Sequence, residues 1–423
     1  MNRVCATLAL IAATAAIQAG EPTISIKPKV YVQTRAEWQH SQAGGNTITN
    51  AGNSGGSYDA TSGTNGKSDP VDFYLRRARV GFDGTYGDDW SFKFWIRADE
   101  SDKSASDTAS RTPVLHTVVV QRNFKDDAIT HSIKFGLDYA FFNTDATSSS
   151  TALLLNQRAS DALLSQRGTG VGYRLNHEIC RWGVDIQNNK ADDSAAANRG
   201  SSFSEREGLF YSTRIELTPP GEWNMKKFQE GWAGAEGRAV GMSIELGYND
   251  RDLQTPAAIP NTNPVVNFNT TVASTVAYGT EVFFHMDSIS AMFEVRGANV
   301  RTTNKTTTGD TQKKNQTQVV WLAQAGYAMR SDFLAEGTFL EPVVRYTHID
   351  LQKTVDSGSN DREVPSFGNK DYGNSGNQFE LGANWYISGS NQKNKLGICW
   401  LHWKAEAGNG KADIVRLQHQ INF

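Results

Sequence analysis

DFYLRRARVGFDGTYGDDWSFKFWIRAD, residues 72–99, holds two runs that alternate with a period of two on either side of a tight turn at Gly87-Asp88-Asp89. In the second run Trp90, Phe92, Phe94, Ile96 and Ala98 alternate with Ser91, Lys93, Trp95, Arg97 and Asp99. That period belongs to a strand, not a helix. In the first run Ala78, Val80 and Phe82 share one face while Arg77, Arg79 and Asp83 share the other. The unit is therefore predicted to be a hairpin with one apolar and one charged face. A soluble sandwich buries such an apolar face against a second sheet. A membrane barrel instead turns it to lipid and points the arginines into a water-filled lumen.

Composition bounds the choice. The chain has 423 residues, 38 glycines, 10% aromatics and a formal net charge of −3, with a mean hydropathy of −0.49. A membrane helix needs about 20 consecutive apolar residues, and no such run follows residue 20. A bilayer is thus open to this chain only as a β-barrel, which reads as polar because only alternate residues meet lipid. The basic residues are scattered at period two rather than clustered, and no zinc-finger or helix-turn-helix spacing occurs, so nothing points to nucleic acid. The eight histidines form no ligand set by spacing, and neither a metal nor a cofactor is expected. No GxSxG, P-loop or GxGxxG motif is present.

The N-terminus supplies an address. Arg3 is followed by an apolar run from Cys5 to Ile17 and by Gln18-Ala19-Gly20, the pattern of a secretory signal peptide over residues 1–19. Residues 20–423 are then the barrel domain. Cys5 leaves with the leader, so Cys180 and Cys399 remain. Both fall within predicted strands, where they read as small apolar side chains, and spacing alone does not decide whether they pair.

In chain order, Ile24 to Trp38 is a first strand with Lys27, Lys29, Tyr31, Gln33, Arg35 and Glu37 on its inner face. The hairpin above follows a Gly/Ser/Asn/Thr-rich loop at 39–70. Val114 to Phe124, whose facing the pattern leaves open, comes next, and then Ser132 to Asp138. The later strands are Thr169 to Asn176, Glu178 to Gln187, Arg206 to Leu217, Arg238 to Tyr248, Thr275 to Phe284, Ile289 to Ala298, Thr317 to Met329, Thr338 to Asp350, Asn377 to Ile387, Lys395 to Ala407 and Ala412 to Phe423. Sixteen strands result. Long polar connections at 39–70, 100–113, 139–168, 188–205, 249–274, 300–316 and 351–376 alternate with mostly shorter turns, as in a barrel with long outer loops and short periplasmic turns. The 218–237 turn is long for the inner side and 408–411 short for the outer side, a mismatch that points to a misplaced boundary.

Two stretches stand apart. Residues 139–168 lack the period of two and carry Leu153, Leu154, Leu155, Leu163 and Leu164 at roughly helical spacing. An insert this apolar is expected to fold inward onto the barrel wall, with Arg158, Asp161 and Arg167 toward the channel; a cap packed on the rim is the alternative. The last strand alternates Val415, Leu417, His419 and Ile421 with Arg416, Gln418, Gln420 and Asn422. In a closed barrel such a strand pairs with the first one and leaves no edge. Tyr86, Trp90, Trp385 and Tyr386 suit aromatic girdles, and His402, Lys404 and Glu406 read as lumen wall.

Several of these runs resemble the phosphate-selective porins of the O and P type. They are LRRARVGFDG at 75–84, GDDWSFKF at 87–94, DATSSS and NQRASDAL in the insert, RGTGVGY at 167–173, STRIELTP at 212–219 and LGANWYISG at 381–389. The resemblance spans nearly the whole mature chain. It implies an all-β, 16-stranded antiparallel transmembrane barrel in the outer membrane of a Gram-negative-type bacterium, assembled as a homotrimer. It further implies a third loop folded into the pore and passive, non-enzymatic uptake of small anions, phosphate or polyphosphate among them.

Anion selectivity needs cations facing the lumen at a narrow point. The inward parity supplies Lys27, Lys29, Arg35, Arg77, Arg79, Lys93, Arg97 and Lys134, and later Arg181, Arg214, Arg296, Arg345 and Arg416. Arg158 and Arg167 lead as constriction residues, followed by Arg77 and Arg79. The same parity also places Glu37, Asp83, Asp99, Asp138, Asp185, Glu216, Glu245, Glu281, Glu294, Glu341 and Glu380 inside, where cross-strand pairing can neutralise the arginines. A general or weakly selective porin and a plugged structural barrel therefore stand beside the anion channel.

Overall fold

The computed structural model describes residues 23–42, 67–68, 71–99, 113–126, 128–142, 155, 167–188, 209–220, 231, 238–250, 269–305, 311–351, 376–387, 393–405 and 411–422. Within them sixteen strands run antiparallel. They are β1 Ile24–Gln42, β2 Val71–Tyr86, β3 Trp90–Arg97, β4 Val114–Asp126, β5 Ile129–Tyr139, β6 Arg167–Asn176, β7 Cys180–Asn188 and β8 Leu209–Leu217. The second half comprises β9 Arg238–Asp250, β10 Asn269–Met286, β11 Ile289–Lys305, β12 Thr311–Tyr327, β13 Phe339–Leu351, β14 Gly376–Tyr386, β15 Asn394–Ala405 and β16 Lys411–Asn422. Two-residue pieces at Lys67–Ser68 and Met329–Arg330 extend the pairing of β1 and β13. Each strand pairs with the next, and β16 pairs with β1 from Tyr31↔Asn422 to Gln42↔Lys411. The sheet closes into a barrel without an edge.

The two faces invert the order of a soluble protein. Outward residues such as Ile26, Val80, Phe135, Ile244, Leu246, Ile398 and Leu417 are apolar and exposed, whereas the largest fully buried side chains are Arg214, Arg296 and Arg416. Apolar atoms meet no water penalty where lipid is the solvent, and the charged face turns to the lumen. The barrel reading of the opening hairpin thus holds, and the sandwich does not.

All sixteen predicted strands are present, and both connections that looked anomalous are real. β8 ends at Leu217 and β9 begins at Arg238, while β15 and β16 are separated by only 406–410. Several predicted loops are partly strand, 249–274 and 300–316 most of all. β10, β11 and β12 are 18, 17 and 17 residues long, against about 9–11 needed to cross a bilayer. Their outer ends run past the hydrocarbon, where Thr, Asn and Lys keep the ladder without any apolar alternation to betray it. Cys180 and Cys399 are both free thiols.

Register breaks in three places among the described strands, one of them between Val272 and Ser274 on β10; the other two add a residue to the inner face. On β2 the partner of Gln33 is Arg77 and the partner of Thr34 is Leu75, so Arg76 is a bulge residue. Arg76 and Arg77 are consequently both buried on the inner side, 6% exposed each. On β4 the partners of Trp95 and Ile96 are Thr117 and Leu115, which brings His116 and Thr117 inward together and explains why this strand gave no clear facing.

Three inner–outer assignments are corrected. Tyr386 is not a girdle residue: it points inward, fully buried, and donates to Glu341 Oε2 at 2.5 Å. His402 and Lys404 are not lumen wall. They lie on the outer face with Ile398 and Trp400, because Leu401 and Trp403 take the inner face within a buried apolar cluster with Val320, Ile349, Ala412 and Ile414. The misreading assumed that apolar means lipid-facing, which fails where the inner wall is itself dry.

Candidate pore lining and anion site

The basic wall is built on β1, β2, β3 and the seam strand β16. Arg35 Nε and NH2 both donate to Gln418 Oε1, at 3.1 and 2.7 Å. Its NH1 lies 3.5 Å from Tyr74 Oη and 3.8 Å from Glu37. Arg416 Nε donates to the same Glu37 carboxylate at 2.8 Å. Arg77 NH1 donates to Gln33 Oε1 at 3.3 Å, and the charge of Arg76 bears on both Arg35 and Tyr74. Arg79 stands opposite Arg97 in the β2–β3 register. It is held by Asp99, with Nε 3.1 Å from both carboxylate oxygens and NH2 2.5 Å from Oδ2, and its NH1 is 2.9 Å from His116 Nε2. Arg97 lies 3.9 Å from Asp99. Six arginines gather in this wall (Arg35, Arg76, Arg77, Arg79, Arg97, Arg416), and Glu37 and Asp99 are the carboxylates described in contact with them.

Across the barrel the account is different. Arg214 on β8 donates to three carboxylates at once, Glu216 Oε1 at 2.9 Å, Glu245 Oε2 at 2.6 Å and Glu281 Oε2 at 2.6 Å. Arg296 on β11 pairs with Glu245 at 3.0 Å, with Glu294 at 2.6 Å and with the other oxygen of Glu281. Arg181 pairs with Glu216. Three arginines here meet four glutamates, so their charge is spent within the wall. On β5–β7, Lys134 and Arg174 are balanced by Asp138 and Asp185, with Arg174 NH2 2.6 Å from Asp185 Oδ2. On β13 and β14, Arg345 NH1 reaches Glu380 at 3.3 Å.

The insert after β5 is described at its root and at one further residue. The backbone N–H of Phe141 donates to Asp185 Oδ2 at 2.5 Å, and Arg174 stacks over its ring at 4.5 Å. Phe142 packs edge-on to Phe210, ring centroids 5.6 Å apart, in a cluster with Ala140, Ala277 and Ala298. Small residues make the niche: a Cβ at Gly183 would fall 2.8 Å from Phe141 Cδ1, and one at Gly247 2.9 Å from Phe142 Cε2. Leu155 clusters with the inward-facing Val343 and Cys399 on the opposite wall.

The residues singled out from the sequence divide as follows. Arg158 lies outside the described residues. Arg167 is the first residue of β6, paired with Tyr139, and its side chain lies outside the described set. Arg35, Arg77, Arg79 and Arg97 come together in the basic wall, with Arg79 committed to Asp99. Lys27, Lys29 and Lys93 sit toward the short-turn end, Lys27 and Lys93 exposed and each opposite Asp83. Sequence reading missed Arg76, His116 and Arg174. For Arg76 a signal existed: the apolar face runs Val71, Phe73, Leu75 and then Ala78, Val80, Phe82, and the gap of three marks the bulge.

Solved structures share this architecture. Salmonella typhi OmpF, solved in complex with daunomycin, superposes with a TM-score of 0.53 at 11% identity, covering 94% of this chain and 97% of that one. A loop L8 deletion mutant of Vibrio cholerae OmpT, an outer membrane protein, gives 0.50 at 11%, covering 94% and 99%. Pseudomonas putida OprB at high pH gives 0.50 at 12%, covering 94% of each. A search of curated protein sequences finds no match. The family model for phosphate-selective porin O and P matches residues 48–423, and the chain, a closed outer-membrane β-barrel porin, belongs to that family.

Proposed function

We propose that this porin conducts small anions and holds oxyanions such as phosphate at the arginine wall of β1, β2, β3 and β16. The gathering of six guanidinium groups on one stretch of inner wall carries the reading, because they offer fixed, paired donors to tetrahedral oxyanions. The insert folds inward in this reading. Its root in the Phe141–Phe142 niche and the seat of Leu155 on the far wall support that course, and Arg158 and Arg167 then border the constriction. The barrel works as a homotrimer, and residues 1–19 are removed on export.

The test is the reversal potential of the purified porin in a planar bilayer under a KCl gradient, followed by phosphate titration of the current. An anionic potential and phosphate block, with the block weakened roughly tenfold in Arg76→Ala/Arg77→Ala by loss of charged hydrogen bonds, supports the site. An unselective or cation-preferring current overturns it. The neutralised wall of β7–β11 favours a second reading, a general porin whose lumen arginines serve stability; it predicts no phosphate block.

A further inference from the structure

Cross-strand register pairs in this barrel obey a charge rule, and one outward pair breaks it. Among described side chains, three register pairs carry like charges: Arg79↔Arg97, Glu281↔Glu294 and Lys404↔Lys411. Like charges directly opposite one another destabilise a sheet, and the first two pairs carry their remedy. Asp99 bridges the two arginines, and Arg296 bridges the two glutamates. Lys404 and Lys411 are exposed and have no counter-ion among the described residues. Asp413, on the same outer face two residues along β16, is taken up by Trp400 Nε1 at 3.1 Å and His402 Nδ1 at 2.9 Å.

Position says what kind of anion fits. Both lysines project from the outer face at the long-loop end of β15 and β16, the end that faces outward in such barrels. Trp400 lies on the same face, four residues along β15 or about 13 Å, and Trp38 is on the adjacent strand. Exterior tryptophans mark headgroup depth. We infer that Lys404 and Lys411 together hold a phosphate group of a phosphorylated outer-leaflet lipid. The ammonium pair supplies the missing attraction to the phosphate, while the rings beneath it take the upper acyl chain. Free phosphate has no use for the apolar part of this surface.

The test titrates the full-length porin in neutral detergent micelles with bis-phosphorylated lipid A and counts bound lipid by native mass spectrometry. Lys404→Ala/Lys411→Ala is expected to weaken binding about tenfold, while Lys125→Ala, at the opposite end, leaves it unchanged. Dephosphorylated lipid A should bind wild type and double variant equally and weakly. Wild-type binding by the double variant overturns the inference. So does complete displacement of the lipid by inorganic phosphate, which would assign the pair to a free anion, or loss of oligomer with lipid binding intact, which would assign the face to a second copy. If the double variant does not fold, judged by heat-modifiable gel mobility, the single Lys404→Gln and Lys411→Gln variants decide by the same count. Conductance is recorded in parallel and is expected to match wild type, so failure here is distinct from failure of the pore reading.

Discussion

Asp99 and Arg214 show how the same pair of residue types can serve two purposes. Asp99 absorbs the charge of Arg79 inside the wall where six arginines gather. One charge about 8 Å from a permeating ion in water shifts its energy by about 0.5 kcal/mol, near twofold in permeability. Asp99→Asn should therefore raise the anion-to-cation permeability ratio about twofold, read from the reversal potential. Arg214, fully buried between three glutamates, is structural. Its removal strands buried carboxylates at a cost of about 3–5 kcal/mol, so Arg214→Ala should lower the unfolding midpoint in denaturant while leaving ion preference little changed. Parity alone put both arginines inside correctly. It was blind to which carboxylate each would meet, because side-chain reach across two or three strands depends on register, and it lost Arg76 because a bulge shifts the face by one residue.

At the level of elements, the insert is the part whose course composition hinted at without fixing. Its leucines announced burial, but the seat of its first turn depends on Gly183 and Gly247, which lie two to four strands away and carry no local signal. Filling the niche tests the anchor. Gly183→Val places atoms where Phe141 now packs, and Asp185→Asn weakens the bond to the Phe141 N–H. Either is expected to loosen the insert's root and appear as added open-channel noise and higher unit conductance; Asp185→Asn, which also deprives Arg174 of its buried carboxylate, is expected to lower the melting temperature as well. The strands themselves were legible because lipid on one side and water on the other enforce a period of two. That contrast is absent from the Thr-, Asn- and Lys-rich sequence at the outer ends of β10–β12, and it is reversed near Leu401 and Trp403, where the inner face is apolar and the outer one carries His402 and Lys404.

For the whole molecule, closure is the organising fact. The seam hydrogen-bonds Gln33 Nε2 to Gln420 Oε1 at 2.8 Å and Arg416 to Glu37 across some 380 positions of sequence. A variant lacking residues 411–423 leaves β1 and β15 as bare edges. It is expected to lose the compact, heat-modifiable form on gels rather than merely melt earlier. The fold class was readable because every strand repeats one physical theme; the charge asymmetry between the two walls was not, being a property of how strands distant in sequence face one another.

The seam also imposes a schedule. β1 is made first and its partner β16 last, so for the whole of synthesis and export the first strand has no mate on that side. Nothing can close early. Closure is thereby tied to β16: a chain cut short before that strand lacks the partner that closes this barrel, and the sheet keeps two open edges.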